Sequence, residues 1–589
     1  MGLDLVFLWH MHQPDYRDRV SGEFVLPWVY LHALKDYSDM AAHLERHPGV
    51  RAVVNFVPVL LDQIEDYCAQ FDSGMFRDPL LRLLAEPELD RIGPAQRALL
   101  LESCFRVNHA TMLEPFPAYQ RLYNLHALFA KEDPAALDYL SGAYLGDLVT
   151  WYHLAWCGES VRREQALAAR LMAKGQGFTA GERRELLGLV GSVIKGIVPR
   201  YRALQDAGRV ELSATPGTHP LAPLMLDFKS ALDAMPDAAL PASAAYPGGP
   251  ARVDAHIASG QASHTRRFGR APAGMWPAEG AVSAAFLAQL ARGGCRWAAS
   301  GEGVLRNTLA KHGMDTSHGA DATTHPWRVE GAPGLALFFR DERLSDLIGF
   351  EYAKWYGHDA ALHLVSLLEA IMAASEGEGA ANGPQGAATG PEGAATGGEE
   401  TKATPLVSII LDGENAWEHY PYNGYYFFDD LYGLLEKHAS IRTTTYADWL
   451  KGRNEQSFPP LPGLVAGSWV YGTFSTWIGN PDKNRAWDLL CEAKVSYDAA
   501  LAAGRLAPDE AARAEVQLAI CESSDWFWWF GDYNPSQAVA SFDRLYRLNL
   551  ANLYRLLKLE PPANLAQPLS RGSAGARDGT MRRATEFQT

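Results

Sequence analysis

The chain has 589 residues, with 53 Lys and Arg against 69 Asp and Glu, a formal charge of −16. At 47% hydrophobic and 21% charged residues it can build a large core, which excludes a mainly disordered chain. The acidic balance argues against nucleic acid as a partner, because phosphate needs a basic face, and against polybasic attachment to a membrane surface. Aromatic residues make up 11% of the chain (16 Trp, 24 Tyr, 23 Phe), a composition that suits a neutral, hydroxyl-rich ligand such as a sugar, although large cores also use aromatic rings.

At the start of the chain, Asp4 stands where a secretory leader needs positive charge, and the apolar run is short and cut by His10, so no signal peptide is expected. No apolar run approaches the roughly 20 residues of a membrane-spanning helix. The cysteines (Cys68, Cys104, Cys157, Cys295, Cys491 and Cys521) are scattered, without a CxxC pair, and read as reduced thiols of a cytoplasmic protein. Apolar runs at residues 3–9, 52–57, 210–214, 334–339 and 406–411 predict buried strands. Helical periodicity between them, as at 284–291, predicts a parallel α/β barrel whose functional residues lie at the C-terminal strand ends. Residues 374–403, rich in Gly, Ala, Glu, Thr and Pro with GAATG twice, read as a flexible surface insert within the barrel domain, on the face away from any cleft. After about Trp469 the pattern turns helical, at 483–504, 508–520 and 536–557. The expected division is a barrel domain over 1–468, a helical domain over 469–564 that contributes to the cleft, and a disordered tail over 565–589.

Five segments carry candidate chemistry. Trp9-His10-Met11-His12-Gln13-Pro14 follows the first strand, and residues two apart on an extended chain share a face, so His10 and His12 can enter one cleft. With no Asp or Cys completing a metal set nearby, contact with substrate hydroxyls is the preferred reading. Residues 210–220 run from a strand into a Pro/Gly-rich turn that displays His219. Gly274-Met275-Trp276-Pro277-Ala278-Glu279-Gly280 sets one carboxylate in an otherwise uncharged stretch, either as a partner for the following helix start or as a nucleophile. Residues 407–420 end an apolar strand in Asp412-Gly413-Glu414-Asn415-Ala416-Trp417-Glu418, and periodicity does not choose among Asp412, Glu414 and Glu418. The run from Glu522 to Tyr533 places five consecutive aromatics, 526–530, between acids. Those rings are read either as core of the helical domain or as stacking platforms over a sugar. Two acids at separate strand ends, with histidines and aromatic faces, fit glycoside hydrolysis.

In this order, HMHQP, the turn at His219, GMWPAEGAVS, LDGENAWE and SSDWFWWFGD resemble the five signature regions of glycoside hydrolase family 57, with WPAEG and DGENAWE closest to its amylopullulanase and α-amylase branch. The resemblance implies an incomplete (β/α)7 TIM-like barrel followed by a C-terminal α-helical domain, and retaining action on α-glucans without a metal or organic cofactor. It implies Glu279 as nucleophile and Asp412 as general acid/base. His10 or His12, with His219 and Asp525, would line the subsites nearest the cleaved bond, and Trp276, Trp417, Trp526 and Trp528 would bind sugar rings. On this scheme Asp412 begins protonated, its pKa raised by the second carboxylate. The alternatives are a 4-α-glucanotransferase or branching enzyme on the same scaffold, a metal-dependent α-mannosidase-like enzyme or deacetylase using His10 and His12, and a glucan-binding protein without turnover.

Overall fold

A computed structural model describes residues 2–314, 322–381, 404–574 and 582–583. Its strands are β1 (Leu3–Met11), β2 (Ala52–Phe56), β3 (Val210–Ala214), β4 (Trp297–Gly301), β5 (Trp327–Val329), β6 (Ala336–Arg340), β7 (Leu406–Asp412), β8 (Ile441–Thr443) and β9 (Pro460–Leu461). All nine residues of β1 are buried, as a parallel strand covered on both faces must be. β1 pairs in parallel with β2 on one side and β7 on the other, and β2 pairs with β3. β4 pairs in parallel with β6.

Two seams join these sheets into a ring. At the first, Trp276 N–H donates to the Ala214 carbonyl at 3.1 Å and Met275 N–H to the Trp297 carbonyl at 3.2 Å, so the extended chain at Met275 bridges β3 to β4. At the second, Asp341 N–H, just past β6, donates to the Ser408 carbonyl of β7 at 2.8 Å, and Ile410 N–H to the Ser345 hydroxyl at 3.3 Å. β1, β2, β3, the Met275 segment, β4, β6 and β7 thus form the (β/α)7 barrel. β8 lies along Leu3–Leu5 of β1, β5 is antiparallel to β6, and β9 pairs with β5.

Between β2 and β3 the chain is almost wholly helical. It ends in the 27-residue helix Ala180–Asp206, whose start is set by a reciprocal capping box between Thr179 and Glu182. Beyond β9 come Pro481–Ala502, Pro508–Cys521, the short Asp525–Trp529 and Ser536–Leu556. All six cysteines are free thiols. Among the described residues no helix is long and apolar enough to cross a membrane.

Two expectations need correction. The segment expected to be a flexible insert from residue 374 instead continues the helix Gly357–Ala381, because its first residues keep the Ala and Glu content a helix favours. The remainder of that insert, including its expected place away from the cleft, lies outside the described residues. The tail expected to be disordered from residue 565 is ordered as far as Ala574. The Asp543 carboxylate accepts from the backbone N–H of Leu569 at 2.7 Å and Ser570 at 3.2 Å, and Ser573 pairs with Pro535. Farther on, Arg582 lies over Trp528 and Tyr533. A polar segment with no core of its own is held here by hydrogen bonds to a neighbouring helix.

At the first seam, a Cβ on Gly274 would come within 2.4 Å of the Trp297 indole, whose Nε1–H is fixed to Glu211 at 2.7 Å. Gly274→Ala is therefore expected to lower stability by about 1–3 kcal/mol through overpacking, read as a lower urea midpoint at unchanged m.

Candidate active site

The parallel register brings the polar strand ends to one level, with His10 opposite Asn55 of β2 on one side and Asp412 of β7 on the other. Each lies where its strand leaves the barrel, the end at which βα-loops gather functional side chains. A cleft of about 790 Å³ opens there, walled by His10, His12, His219, Glu279, Arg340, Asp412, Glu414 and Trp469, and on the helical side by Asp525, Trp528 and Trp529.

Glu279 sits in the short turn Ala278–Gly280 at φ 58, a left-handed conformation that costs a residue with a Cβ about 1–3 kcal/mol and persists only where its surroundings enforce it. Trp469 enforces it twice: its backbone N–H donates to the Glu279 carbonyl at 3.1 Å and its indole Nε1–H to Oε2 at 3.2 Å. Oε1 lies 3.3 Å from Ser524 Oγ. Burial, then the nearby charges of Asp525 and Asp412, push the Glu279 carboxyl up to about 8. Asp412 is also raised, by burial, against the lowering effects of a hydrogen bond from Asn415 at 2.9 Å and of His12 and Arg340. The like-charge repulsion expected to act on Asp412 is therefore felt by Glu279.

The histidines form one stack. The rings of His12 and His219 are 3.8 Å apart and those of His10 and His219 5.2 Å apart. Hydrogen-bond accounting fixes two tautomers. Asn55 Oδ1 accepts from Thr215 Oγ1 at 3.0 Å and lies 2.6 Å from His10 Nδ1, so His10 carries its proton on Nδ1. His10 Nε2 then accepts from His219 Nε2, 3.2 Å away, which leaves His219 Nδ1 to accept from Ser524 Oγ at 2.8 Å. Both rings are neutral, held below the usual histidine range by burial and by neighbouring histidines (His10 at about 3). The Ser524 hydroxyl thus lies between His219 Nδ1 and Glu279 Oε1, within donating distance of either. Burial and the neighbouring acids favour the protonated form of Glu279, against the hydrogen bonds from Trp469 and Ser524.

Asp525 reaches the cleft from the helical region and accepts from His12 Nε2 at 2.8 Å. Its position follows from a buried clip just before it. Glu522, fully buried, accepts from Arg252 Nε and Nη2 at 2.7 and 2.6 Å, from His256 at 2.7 Å and from the Tyr246 hydroxyl. Burial alone would raise Glu522, but His256 and Arg252 outweigh it and hold the carboxyl down at about 2. Beside this clip, Ser524 N–H donates to the His219 carbonyl at 2.8 Å and Ser523 bridges to Pro220.

His12, His219 and Asp525 place one ligand atom each within 4.8 Å of one another, a two-nitrogen, one-oxygen set that could hold a divalent cation. The pairing of His10 with His12 considered for a metal is not the arrangement found: the ligand atoms that converge belong to His12, His219 and Asp525.

Of the four tryptophans expected on the sugar, only Trp528 lines the cleft. Trp276, Trp417 and Trp526 are fully buried. Trp276 packs edge-on against Trp469 at 5.2 Å. Trp417 donates to the Gly413 carbonyl at 2.9 Å and packs on Phe428, and Trp526 donates to the Ile520 carbonyl at 2.9 Å. Large rings beside strand ends serve the core first, because that is where they bury most apolar area. Sequence reasoning gave no role to Trp469, to Ser524 within the run from Glu522 to Tyr533, or to Asn55 within the apolar run 52–57, because each acts through partners distant in the chain. It also gave no site role to Arg340, whose guanidinium lies 5.3 Å over Trp469.

Two stability measurements follow. Glu522→Gln removes the carboxylate that Arg252 and His256 share and leaves Arg252 only its more exposed partner Glu515, and is expected to cost about 3–5 kcal/mol. For Glu279 the folded pKa lies above the unfolded value of 4.5, so its contribution is fully present below pH 4.5 and is lost as pH rises towards 8. Glu279→Gln should therefore gain stability over the parent progressively between pH 4.5 and 8, by on the order of a few kcal/mol at the plateau, in paired thermal or urea unfolding series.

The family described as "Glycosyl hydrolase family 57" matches residues 6–462, a stretch that begins within β1 and includes both Glu279 and Asp412. No curated protein matches the chain. Among solved structures, a GH57 branching enzyme from Thermococcus kodakaraensis is similar at TM-score 0.56 and 18% identity, over 94% of this chain and 90% of that one. A GH57-type branching enzyme from Pyrococcus horikoshii is similar at 0.55 and 17%, over 96% of each chain. The α-amylase AmyC from Thermotoga maritima is similar at 0.52 and 13%, over 95% and 93%. At these identities the structures speak for the fold, while the family match covers most of the sequence: the chain belongs to glycosyl hydrolase family 57.

Proposed function

We propose that this protein is a retaining glycoside hydrolase of α-glucans of the amylase and amylopullulanase kind, acting on α-1,4 linkages, with α-1,6 linkages as the second candidate. The observation that carries the reading is the pair Glu279 and Asp412, set on two different strand ends of one cleft and electrostatically coupled, with aromatic faces at Trp469, Trp528 and Trp529. In the reaction, Asp412 delivers its proton to the glycosidic oxygen while a Glu279 carboxylate oxygen attacks the anomeric carbon. The C–O bond to the leaving sugar breaks as the covalent glycosyl-enzyme forms. Asp412, now ionised, takes a proton from water, and the hydroxide so generated releases the sugar from Glu279. Glu279 must be ionised to attack. Two donors can favour that form: the Trp469 indole N–H and the Ser524 hydroxyl, which rotates from His219 to Glu279. His12 and Asp525 offer hydrogen bonds to sugar hydroxyls.

Transfer to a second sugar, as in a 4-α-glucanotransferase or branching enzyme, uses the same intermediate. Its supporting observation is the aromatic wall at Trp528 and Trp529, which gives an acceptor chain a surface to rest on. Chromatography of products from maltooligosaccharides separates the two: new reducing ends mark hydrolysis, and redistributed chain lengths without them mark transfer. Glu279→Gln is expected to lower turnover on maltooligosaccharides, glycogen and pullulan by about a thousandfold or more. Near-normal turnover by this variant on an active α-glucan would overturn the assignment. Dialysis against EDTA is expected to leave turnover unchanged, whereas a loss restored by a divalent cation would favour the metal-dependent reading through His12, His219 and Asp525.

A further inference from the structure

Among the described residues five aromatic side chains stand exposed: Tyr139, Trp355, Tyr356, Tyr422 and Tyr426. All but Tyr139 belong to one patch. Tyr356 adjoins Gly357, where an added Cβ would lie 3.0 Å from the Phe427 backbone nitrogen. The rings of Tyr422 and Tyr426 meet edge-on at 5.4 Å. Arg163 donates to the Tyr426 hydroxyl at 2.9 Å and lies 4.3 Å over the neighbouring Tyr425.

The turn that presents Tyr422 is built at a conformational cost. Tyr422 and Asn423 are both left-handed, at φ 54 and 53, a region residues with a Cβ avoid. Asn423 is clamped from inside, its amide donating to Asp39 at 2.8 Å and its carbonyl accepting from Lys35 at 2.9 Å. The outcome is a tyrosine 54% exposed. The clamp satisfies the buried Asp39 and Lys35, but turning a large ring outward forgoes apolar burial, so the exposure of Tyr422 does not serve the core.

Two segments connect this patch to the cleft. Phe350 lines the cleft and Trp355 lies five residues farther along the chain. His419 lines the cleft as well, and Tyr422 lies three residues beyond it. From this geometry we infer that Tyr356, Tyr422 and Tyr426, with Trp355, form an outer platform for an α-glucan chain whose other end occupies the cleft. Tyrosine fits such a ligand because its ring stacks on the C–H face of a sugar while its hydroxyl reaches the sugar's own hydroxyls. Continuity with the cleft selects this occupant over a second protein copy. The inference rests on the α-glucan reading above.

The test uses the full chain carrying Tyr422→Ala with Tyr426→Ala, and separately Tyr356→Ala, which leaves the strained turn intact. Glycogen affinity is measured by affinity electrophoresis on a Glu279→Gln background, so that binding is read without turnover. About tenfold weaker glycogen binding is expected, with a similar rise in KM for glycogen, while kcat/KM on maltotriose is unchanged. Unaltered glycogen affinity in both variants, in a protein that still cleaves maltooligosaccharides, overturns the platform alone. A change in oligomeric state without a change in glycogen affinity marks the patch as a self-association face and overturns it too. A parent protein that neither binds nor cleaves any α-glucan overturns the hydrolase reading, and the platform with it.

Discussion

The buried carboxylate of Glu522 joins the two halves of this site. An ionised group taken from water is tolerated only with strong compensation, and Arg252, His256 and Tyr246 supply it from the barrel side of the junction. Once Glu522 is committed, the next three residues have little freedom. Ser523 is bridged to Pro220, Ser524 is bonded to the backbone and ring of His219, and Asp525 is left facing His12. The Ser524 hydroxyl that meets Glu279 therefore comes from a helical region some 245 residues away in sequence.

A second constraint is proton supply. Asp412, Glu279, Asp525 and Glu414 crowd a small volume, and Glu414 and Glu279 are both pushed up chiefly by burial. Neutral histidines at His10 and His219 offer no positive charge to relieve them. The site therefore retains protons that an exposed set of acids would release. In the proposed reaction, one of those protons must lie on Asp412 and none on Glu279 when sugar is bound, so substrate has to redistribute them. The Ser524 rotor and the Trp469 indole are the groups placed to stabilise that change.

How much of this could be read from the chain depended on the kind of signal. β1, β2, β3, β6 and β7 announce themselves as apolar runs, because a doubly covered parallel strand has no polar face to interrupt the pattern. β4, with the sequence Trp-Ala-Ala-Ser-Gly, does not: small residues are weak strand formers, and tertiary pairing with β6 supplies what propensity lacks. Glu279, His219 and Asp525 stand out as acids and a histidine at strand or helix boundaries, whereas Asp412 is one of three acids that periodicity leaves equal and only the family resemblance singles out. The tryptophans were less so, since a ring beside a motif has the same sequence signature whether it faces a cleft or the core. Trp469 lies 190 residues from Glu279, a distance across which no local pattern can act.

The ring is unevenly stitched. Around β1 the ladders are continuous, with seven register pairs to β7 and four to β2, whereas the Met275 segment and the β6–β7 junction each hang on a few isolated bonds. Glu279 follows the first of these sparse junctions, and Asp412 ends the strand that borders the second. The barrel is therefore most firmly laced where His10 and Asp412 stand in register, and most sparsely beside Glu279. In mechanical terms β1 and β7, carrying His10 and Asp412, are the fixed jaw of the cleft, and the Glu279 turn is the side whose distance from it the fold leaves adjustable.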